Sequence, residues 1–255
     1  MSEQTLNKTI QHWEEKSESL EKVIGNQQII IWSESKGRYL KNECSRNTLD
    51  AENKLIWWYR GGAKIGQEVE RAKQGHIFDK YKRHNAIVFI WFGTCDLTKK
   101  TEEGLIDLNS EDNSTVESIT EKYREIASFL NRIGLKPIIL ETPYYSIKFW
   151  NSSRGHPNPS SFEESDIKLT NQIDTLNSYI EEINTESGVK SPKLNIDFRH
   201  SRTKRGKTKY YNNLKLLRDG IHPGKKLAKA WLKKIVFFAS DNTTQNADEG
   251  RGRRR

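Results

Sequence analysis

Short apolar runs recur along the chain between residues 28 and 199, and polar residues or glycines follow them. A run that is apolar on both faces is typical of a strand in a parallel sheet that helices cover. The pattern predicts five strands, of which the last is the weakest: Ile29–Trp32, Leu55–Tyr59, Ala86–Phe92, Pro137–Leu140 and Leu194–Phe198.

Apolar residues at steps of three and four predict helices between these strands. The segment from Ser114 to Ile133 is the most regular, and Gly134 is expected to end it. The other predicted helices are Gln67–Lys82, Leu169–Ile183 and Lys225–Phe238. Because strands alternate with helices, the expected fold class is α/β, a three-layer α/β/α sandwich with a central parallel sheet of about five strands.

The pattern also sets the expected limits of the domain. Residues 1–27 carry only a thin apolar stripe and are predicted to form a helical N-terminal extension. Residues 28–239 contain all the predicted strands and are expected to form one domain. Residues 240–255 have no periodicity and almost no apolar residue, so a disordered basic tail is predicted there.

Composition narrows the class of protein. No run approaches the roughly 20 apolar residues that a membrane span needs, and the first residues lack the apolar core of a signal peptide. The only cysteines are Cys44 and Cys95, too few for a disulfide framework or a cysteine-built zinc site, and no histidine pair has metal-ligand spacing. We therefore expect an intracellular protein, cytoplasmic or nuclear, without a metal.

Positive charge is concentrated towards the C-terminal end. The formal net charge is +9, and the part from Arg199 onward contains 17 Lys and Arg residues against four Asp and Glu residues. A basic segment of this kind can contact nucleic acid, which makes a nucleic-acid-associated accessory protein one alternative. The stretch Arg199–Lys209 has no interleaved aromatic residues, however, so specific recognition is not indicated.

Chemically active residue types follow several predicted strands directly. They are Ser33-Glu34-Ser35 after the first strand, Gly61-Gly62 after the second and Gly93-Thr94-Cys95-Asp96 after the third, and Asp219-Gly220-Ile221-His222-Pro223 precedes the last helix. In a parallel sheet, ligands bind just beyond the carboxyl ends of the strands. We expect these groups to meet at that edge.

A serine hydroxyl becomes a nucleophile only when a base removes its proton and an acid orients that base. Ser35 is the candidate nucleophile, His222 the candidate base and Asp219 the candidate acid. The backbone amides of Ser35 and Gly62 are candidates for binding the oxyanion that forms during attack. A capping role for Asp219 at the last helix is the alternative interpretation.

These four blocks resemble those of the SGNH hydrolases, also called GDSL-type hydrolases, over about residues 28–238. The resemblance implies a flavodoxin-like fold, no cofactor, and hydrolysis of small-molecule, glycan or lipid esters by Ser35, His222 and Asp219. The chain is also similar to esterase-like domains carried by animal mobile elements.

The chain departs from the family pattern at three positions. Ser33 replaces the first glycine, Glu34 replaces an aspartate, and Cys95 stands where the family has an asparagine oxyanion donor. Because a thiol is a weaker donor than an amide, a catalytically inactive module that binds an acyl or glycan ligand is a second alternative.

Candidate residues for the substrate pocket are Glu34, Tyr144 and Tyr145. The two tyrosines belong to an aromatic segment after the fourth strand that also contains Phe149 and Trp150. Such a segment is expected to wall a pocket, and a small core beneath a loop is the alternative.

Overall fold

The structure is a computed structural model that describes residues 3–18, 28–44, 54–84, 86–204 and 206–252. In chain order the strands are β1 (Ile29–Ser33), β2 (Leu55–Tyr59), β3 (Ile87–Trp91), β4 (Thr98–Lys100), β5 (Ile106–Leu108), β6 (Lys136–Ile139), β7 (Arg199–Lys204) and β8 (Lys207–Asn212). The α-helices are α1 (Glu3–Glu18), α2 (Lys36–Cys44), α3 (Ile65–Gln74), α4 (Thr94–Leu97), α5 (Ser114–Arg132), α6 (Ile147–Ser153), α7 (Glu163–Glu186) and α8 (Lys225–Gly252).

Four parallel strands form the central sheet, in the order β2-β1-β3-β6. The two central strands, β1 and β3, are buried along their whole length, as their apolar runs predict. Helices α1, α2 and α8 pack together, and so do α3, α5 and α7. The structure confirms the predicted α/β class with a parallel sheet flanked by helices.

The register of the sheet aligns the carboxyl ends of three strands. Ser33 at the end of β1 is paired with Tyr59 of β2 and with Trp91 of β3. These strands therefore end at the same level, and the loops after them emerge side by side.

The predicted fifth strand is wrong, because Asn195–Phe198 forms a 3₁₀ helix. The Asn195 side chain accepts a hydrogen bond from the Tyr144 amide at 2.9 Å and donates one to the Thr142 carbonyl at 3.0 Å. This buried side chain thus bonds to backbone groups of the segment that follows β6. The run Leu194–Phe198 contains two buried polar residues, Asn195 and Asp197, that need such partners.

Two predicted helices have different limits in the structure. The helix predicted over 67–82 ends at Gln74, where Gly75 and the left-handed His76 (φ 47°) interrupt it, and a 3₁₀ helix follows at Asp79–His84. The last helix, α8, continues to Gly252, whereas the sequence predicts disorder from residue 240. A helix that is already formed extends without a new nucleation step, and no proline interrupts residues 240–252.

The segments at the two ends of the chain pack against each other. In α1, Leu6 and Ile10 are buried, and the Trp13 ring lies 4.7 Å from that of Phe237 in α8. The last helix thus covers apolar residues of the described part of the predicted extension, Glu3–Glu18, and residues 19–27 of that extension lie outside the described residues. The basic stretch from Arg199 forms the hairpin β7–β8. Within the described residues, no helix is long and apolar enough to cross a membrane.

Candidate active site

Ser35 lies at the carboxyl edge of the sheet, between β1 and α2. Its carbonyl accepts the amide N–H of Arg38 at 3.1 Å, so Ser35 immediately precedes the first turn of α2. The Ser35 amide is therefore at the positive end of the helix dipole. The side chain is only partly buried, which leaves the hydroxyl accessible.

His222 and Asp219 meet Ser35 at this edge. The Ser35 Oγ is 2.9 Å from the His222 Nε2, and the His222 Nδ1 is 2.8 Å from the Asp219 Oδ2. The carboxylate on Nδ1 favours the tautomer that carries its proton there, which leaves Nε2 free to accept the serine proton. The sequence prediction that these three side chains come together is thus met in the geometry.

The Asp219 carboxylate is held in its ionised form. Burial alone would raise its pKa. Hydrogen bonds from the His222 ring, at 2.8 Å, and from the backbone amides of His222 and Ile221 outweigh burial, so the pKa of Asp219 is lowered overall. A carboxylate that stays charged can stabilise an imidazolium when His222 takes up a proton.

The loop that carries His222 is fixed at both sides. The Arg218 amide donates to the His222 carbonyl at 2.9 Å, which closes the loop on itself. Gly220 has φ +91°, and a Cβ there would lie 2.6 Å from the Trp150 amide nitrogen. The backbone of α6 therefore packs directly on this glycine, so any side chain at position 220 would push the loop away.

Gly62 and Cys95 occupy the neighbouring loops. Gly62 has φ +76° and is exposed, and a Cβ built there meets no atom within 4 Å. Burial raises the pKa of the Cys95 thiol, although a hydrogen bond from the Gly62 amide opposes the rise. The amide and the thiol thus lie together beside the serine loop. A thiol with a raised pKa stays protonated at neutral pH and is a poor nucleophile.

Asp96 fastens these two loops to each other. Its buried carboxylate accepts the Ile65 amide, at 3.1 Å to Oδ1 and 3.3 Å to Oδ2, where α3 begins. Burial raises the pKa of Asp96 to about 6.

Glu34 is part of a buried ion pair and does not line a pocket, so its assignment as a pocket residue is wrong. The side chain is fully buried and forms a salt bridge with Lys36, which also donates to the Thr94 Oγ1 at 2.6 Å. The other Glu34 oxygen accepts the Cys95 amide at 3.1 Å. The pair therefore ties the end of β1 to the loop after β3. Burial lowers the pKa of Lys36 to about 7.

Ser33, at the family's glycine position, is accommodated by Gly37. A Cβ at residue 37 would lie 2.1 Å from the Ser33 Oγ. The serine hydroxyl thus occupies space that only a glycine in the first turn of α2 leaves open.

A family model described as GDSL-like Lipase/Acylhydrolase matches residues 26–235. The chain belongs to this family. No curated protein matched it.

Solved structures of similar fold include a GDSL-like lipase from Bacteroides thetaiotaomicron, with a TM-score of 0.57 and 14% identity over 93% of this chain and 98% of that chain. An acetyl xylan esterase aligns with a TM-score of 0.51 and 15% identity over 82% of this chain and 97% of that chain. At such identities the likeness shows the fold alone.

Within this GDSL-like domain, Tyr144 and Tyr145 are buried and do not form an open pocket wall. The Tyr144 hydroxyl bonds to the Asp174 carboxylate, and the Tyr145 hydroxyl donates to the Thr94 carbonyl at 3.1 Å. Burial raises the pKa of both hydroxyls. Their role is to pack the segment after β6 against the sheet edge.

Sequence reasoning missed Tyr39 and gave Trp150 no specific role. The Tyr39 ring stacks on the His222 ring at 4.5 Å, and the Trp150 ring meets it edge-on at 5.9 Å. Tyr39 lies four residues after Ser35, and on a helix this spacing places two residues on the same side. The position of Tyr39 near the site could therefore have been predicted. Trp150 reaches His222 only through the packing of α6, which no local pattern reveals.

The described side chains offer no metal site, since no group of three or more His, Cys, Asp or Glu residues among them is arranged to hold an ion.

Proposed function

We propose that this GDSL-like domain is a serine ester hydrolase in which Ser35 is the nucleophile. The observation that carries the proposal is the continuous pair of hydrogen bonds from Ser35 to His222 and from His222 to Asp219. Hydroxyl, imidazole and carboxylate in this order are the arrangement that activates a serine. Membership of an acylhydrolase family supports the same reaction.

In the proposed reaction, the Ser35 Oγ attacks the ester carbonyl and its proton moves to the His222 Nε2. The tetrahedral intermediate collapses, and the leaving alcohol takes that proton from His222. A water molecule then gives a proton to His222 and attacks the acyl-serine, which releases the carboxylic acid and restores the Ser35 hydroxyl. Asp219 remains ionised throughout and holds the imidazole in place.

In the proposed reaction the amides of Ser35 and Gly62 bind the oxyanion, with the Cys95 thiol as a weak third donor, and the Gly62 amide exchanges the Cys95 sulfur for the oxyanion as its acceptor. An amide side chain is a stronger donor than a thiol, and losing one oxyanion donor costs about 10²–10³ in rate. We therefore expect a slow esterase. Acetyl, the group named in the acetyl xylan esterase of similar fold, is the acyl group that we propose, and no neighbouring atom within 4 Å of the Cβ position at Gly62 obstructs it.

Release of nitrophenol from 4-nitrophenyl acetate and labelling by a fluorophosphonate test this proposal. The wild-type protein should do both, and Ser35→Ala should do neither. Ser33→Ala is the matched control, because it removes a hydroxyl two residues away and should keep both signals.

A folded wild-type protein that neither hydrolyses the ester nor takes up the label would refute the proposal. Such a result, combined with thermal stabilisation by an acyl or glycan ligand, would instead support the inactive binding module.

A further inference from the structure

Arginine side chains cover the aromatic rings that flank His222. The guanidinium carbons of Arg38 and Arg218 lie 5.2 and 5.6 Å from the centre of the Tyr39 ring. That of Arg154 lies 4.3 Å from the centre of the Trp150 ring. All three arginines are exposed. We call Arg38, Arg154 and Arg218 the arginine rim.

The rim lies close to His222. Tyr39 and Trp150 contact the His222 ring directly, so each guanidinium lies within about 10 Å of the imidazole, roughly one Debye length at 0.1 M salt. This distance is short enough for one small molecule to place an anionic group at the rim and its ester at Ser35.

Among the residues that the structure describes, no acid forms an ion pair with Arg38, Arg154 or Arg218. The carboxylate of Glu34 pairs with Lys36, whereas the ionised Asp219 beside His222 offsets one of the three rim charges.

A cavity of about 400 Å³ lies beside Tyr39, and its charged lining residues are Arg218, Lys225 and Glu43. Cations therefore outnumber acids in the space next to the histidine loop.

We propose that the arginine rim makes this domain selective for small esters that carry a carboxylate, sulfonate, sulfate or phosphate group. The inference rests on the proposed esterase function and adds the substrate class. A guanidinium binds such anions through two parallel hydrogen bonds. Cation–π contacts with Tyr39 and Trp150 favour these positions of the guanidinium groups before the substrate arrives, which lowers the entropic cost of binding.

A pair of acetate esters that differ in charge tests the proposal. The anionic substrate is 4-acetoxybenzoate and the neutral one is 4-acetoxybenzamide, and release of the phenol is followed by absorbance. We expect kcat/KM to be about 10- to 100-fold higher for the anion at low salt, the range that a charge-assisted hydrogen bond provides. The preference should shrink as sodium chloride is added.

Variants of the arginine rim test whether these three side chains cause the preference for the anionic ester. Replacing all three arginines by glutamine (R38Q, R154Q and R218Q together) should bring the ratio of the two kcat/KM values close to one, and each single replacement should lower it in part. The control is Lys54→Gln with Lys80→Gln and Lys136→Gln, which removes the same charge near the amino ends of the strands and should keep the ratio.

The outcomes separate this inference from the proposed function. No turnover of either ester would refute the esterase itself. Turnover of both with equal kcat/KM would refute the selectivity alone. A preference that survives in the triple variant, or in the single variants if the triple variant does not fold, would show that the arginine rim is not its source.

Discussion

Among the residues that the structure describes, Lys36 and Lys234 are buried lysines that pair with buried carboxylates, and the two pairs differ in what they connect. Lys36 pairs with Glu34, and Lys234 of α8 pairs with both carboxylate oxygens of Asp197 at 2.7 Å. The lysine of the second pair also donates to the Lys193 carbonyl at 3.3 Å. That pair fastens the last helix to the 3₁₀ helix at residues 195–198.

The Glu34–Lys36 pair has different neighbours. It holds the Thr94 hydroxyl and the Cys95 amide, and its two members lie on either side of Ser35 in the chain. The Lys234–Asp197 pair therefore anchors a helix. The Glu34–Lys36 pair, which has the same chemistry, sets the distance between the proposed nucleophile and the proposed oxyanion donors. Burial of charge alone does not reveal which of these roles an ion pair has.

The largest effect is expected at Cys95, the residue whose amide the Glu34–Lys36 pair holds. Cys95→Asn places the family's amide donor beside Gly62 and should raise kcat for 4-nitrophenyl acetate by about 10²–10³. Cys95→Ala is the control, and it should give no gain. Equal kcat in the two variants would show that the donor at this position does not face the oxyanion.

Removal of one lysine from each pair tests the comparison directly. Lys36→Met and Lys234→Met each leave a buried carboxylate without its partner, which should lower the free energy of unfolding by about 3–5 kcal/mol in urea titrations. Only Lys36→Met should also lower kcat of the folded protein, since Glu34 would then no longer be held in position to accept the Cys95 amide. A comparable loss of kcat in Lys234→Met would contradict the distinction between the two pairs.

A smaller effect should appear in the pH dependence of stability. Lys36 has a pKa of about 7 in the folded protein, because burial lowers it, against about 10.4 in an unfolded chain. Between these values the unfolded chain binds more protons, so the contribution of Lys36 makes the free energy of unfolding rise with pH, by at most about 1.4 kcal/mol per pH unit.

Urea midpoints at pH 7, 8 and 9 measure this contribution. The difference between wild type and Lys36→Met should grow with pH. Parallel profiles for wild type and Lys36→Met would rule out a lowered pKa at Lys36.

Much of the site was predictable because the apolar runs of β1, β2 and β3 fix where the strands end. Once those runs pair in parallel, Ser35, Gly62 and Cys95 must emerge at one edge. His222 could be assigned to that edge from its spacing to Asp219 and from the family pattern. Intracellular location and a link to mobile elements stay predictions.

The parts that could not be predicted depend on contacts between distant segments. A lysine in the first turn of a helix is usually exposed, and only the packing of Glu34 and Thr94 around Lys36 shows that it is buried. The run Leu194–Phe198 has the length of a strand, but the hydrogen-bonding needs of Asn195 and Asp197 override that pattern.

The contact between Ser33 and Gly37 restricts how this sequence can change over evolutionary time. A Cβ at position 37 would lie 2.1 Å from the Ser33 hydroxyl and 3.2 Å from the Tyr59 Cβ, so position 37 cannot take a larger residue unless position 33 first loses its hydroxyl and Tyr59 shifts. Relatives that share the serine should accordingly share the glycine four residues later, whatever ester they hydrolyse.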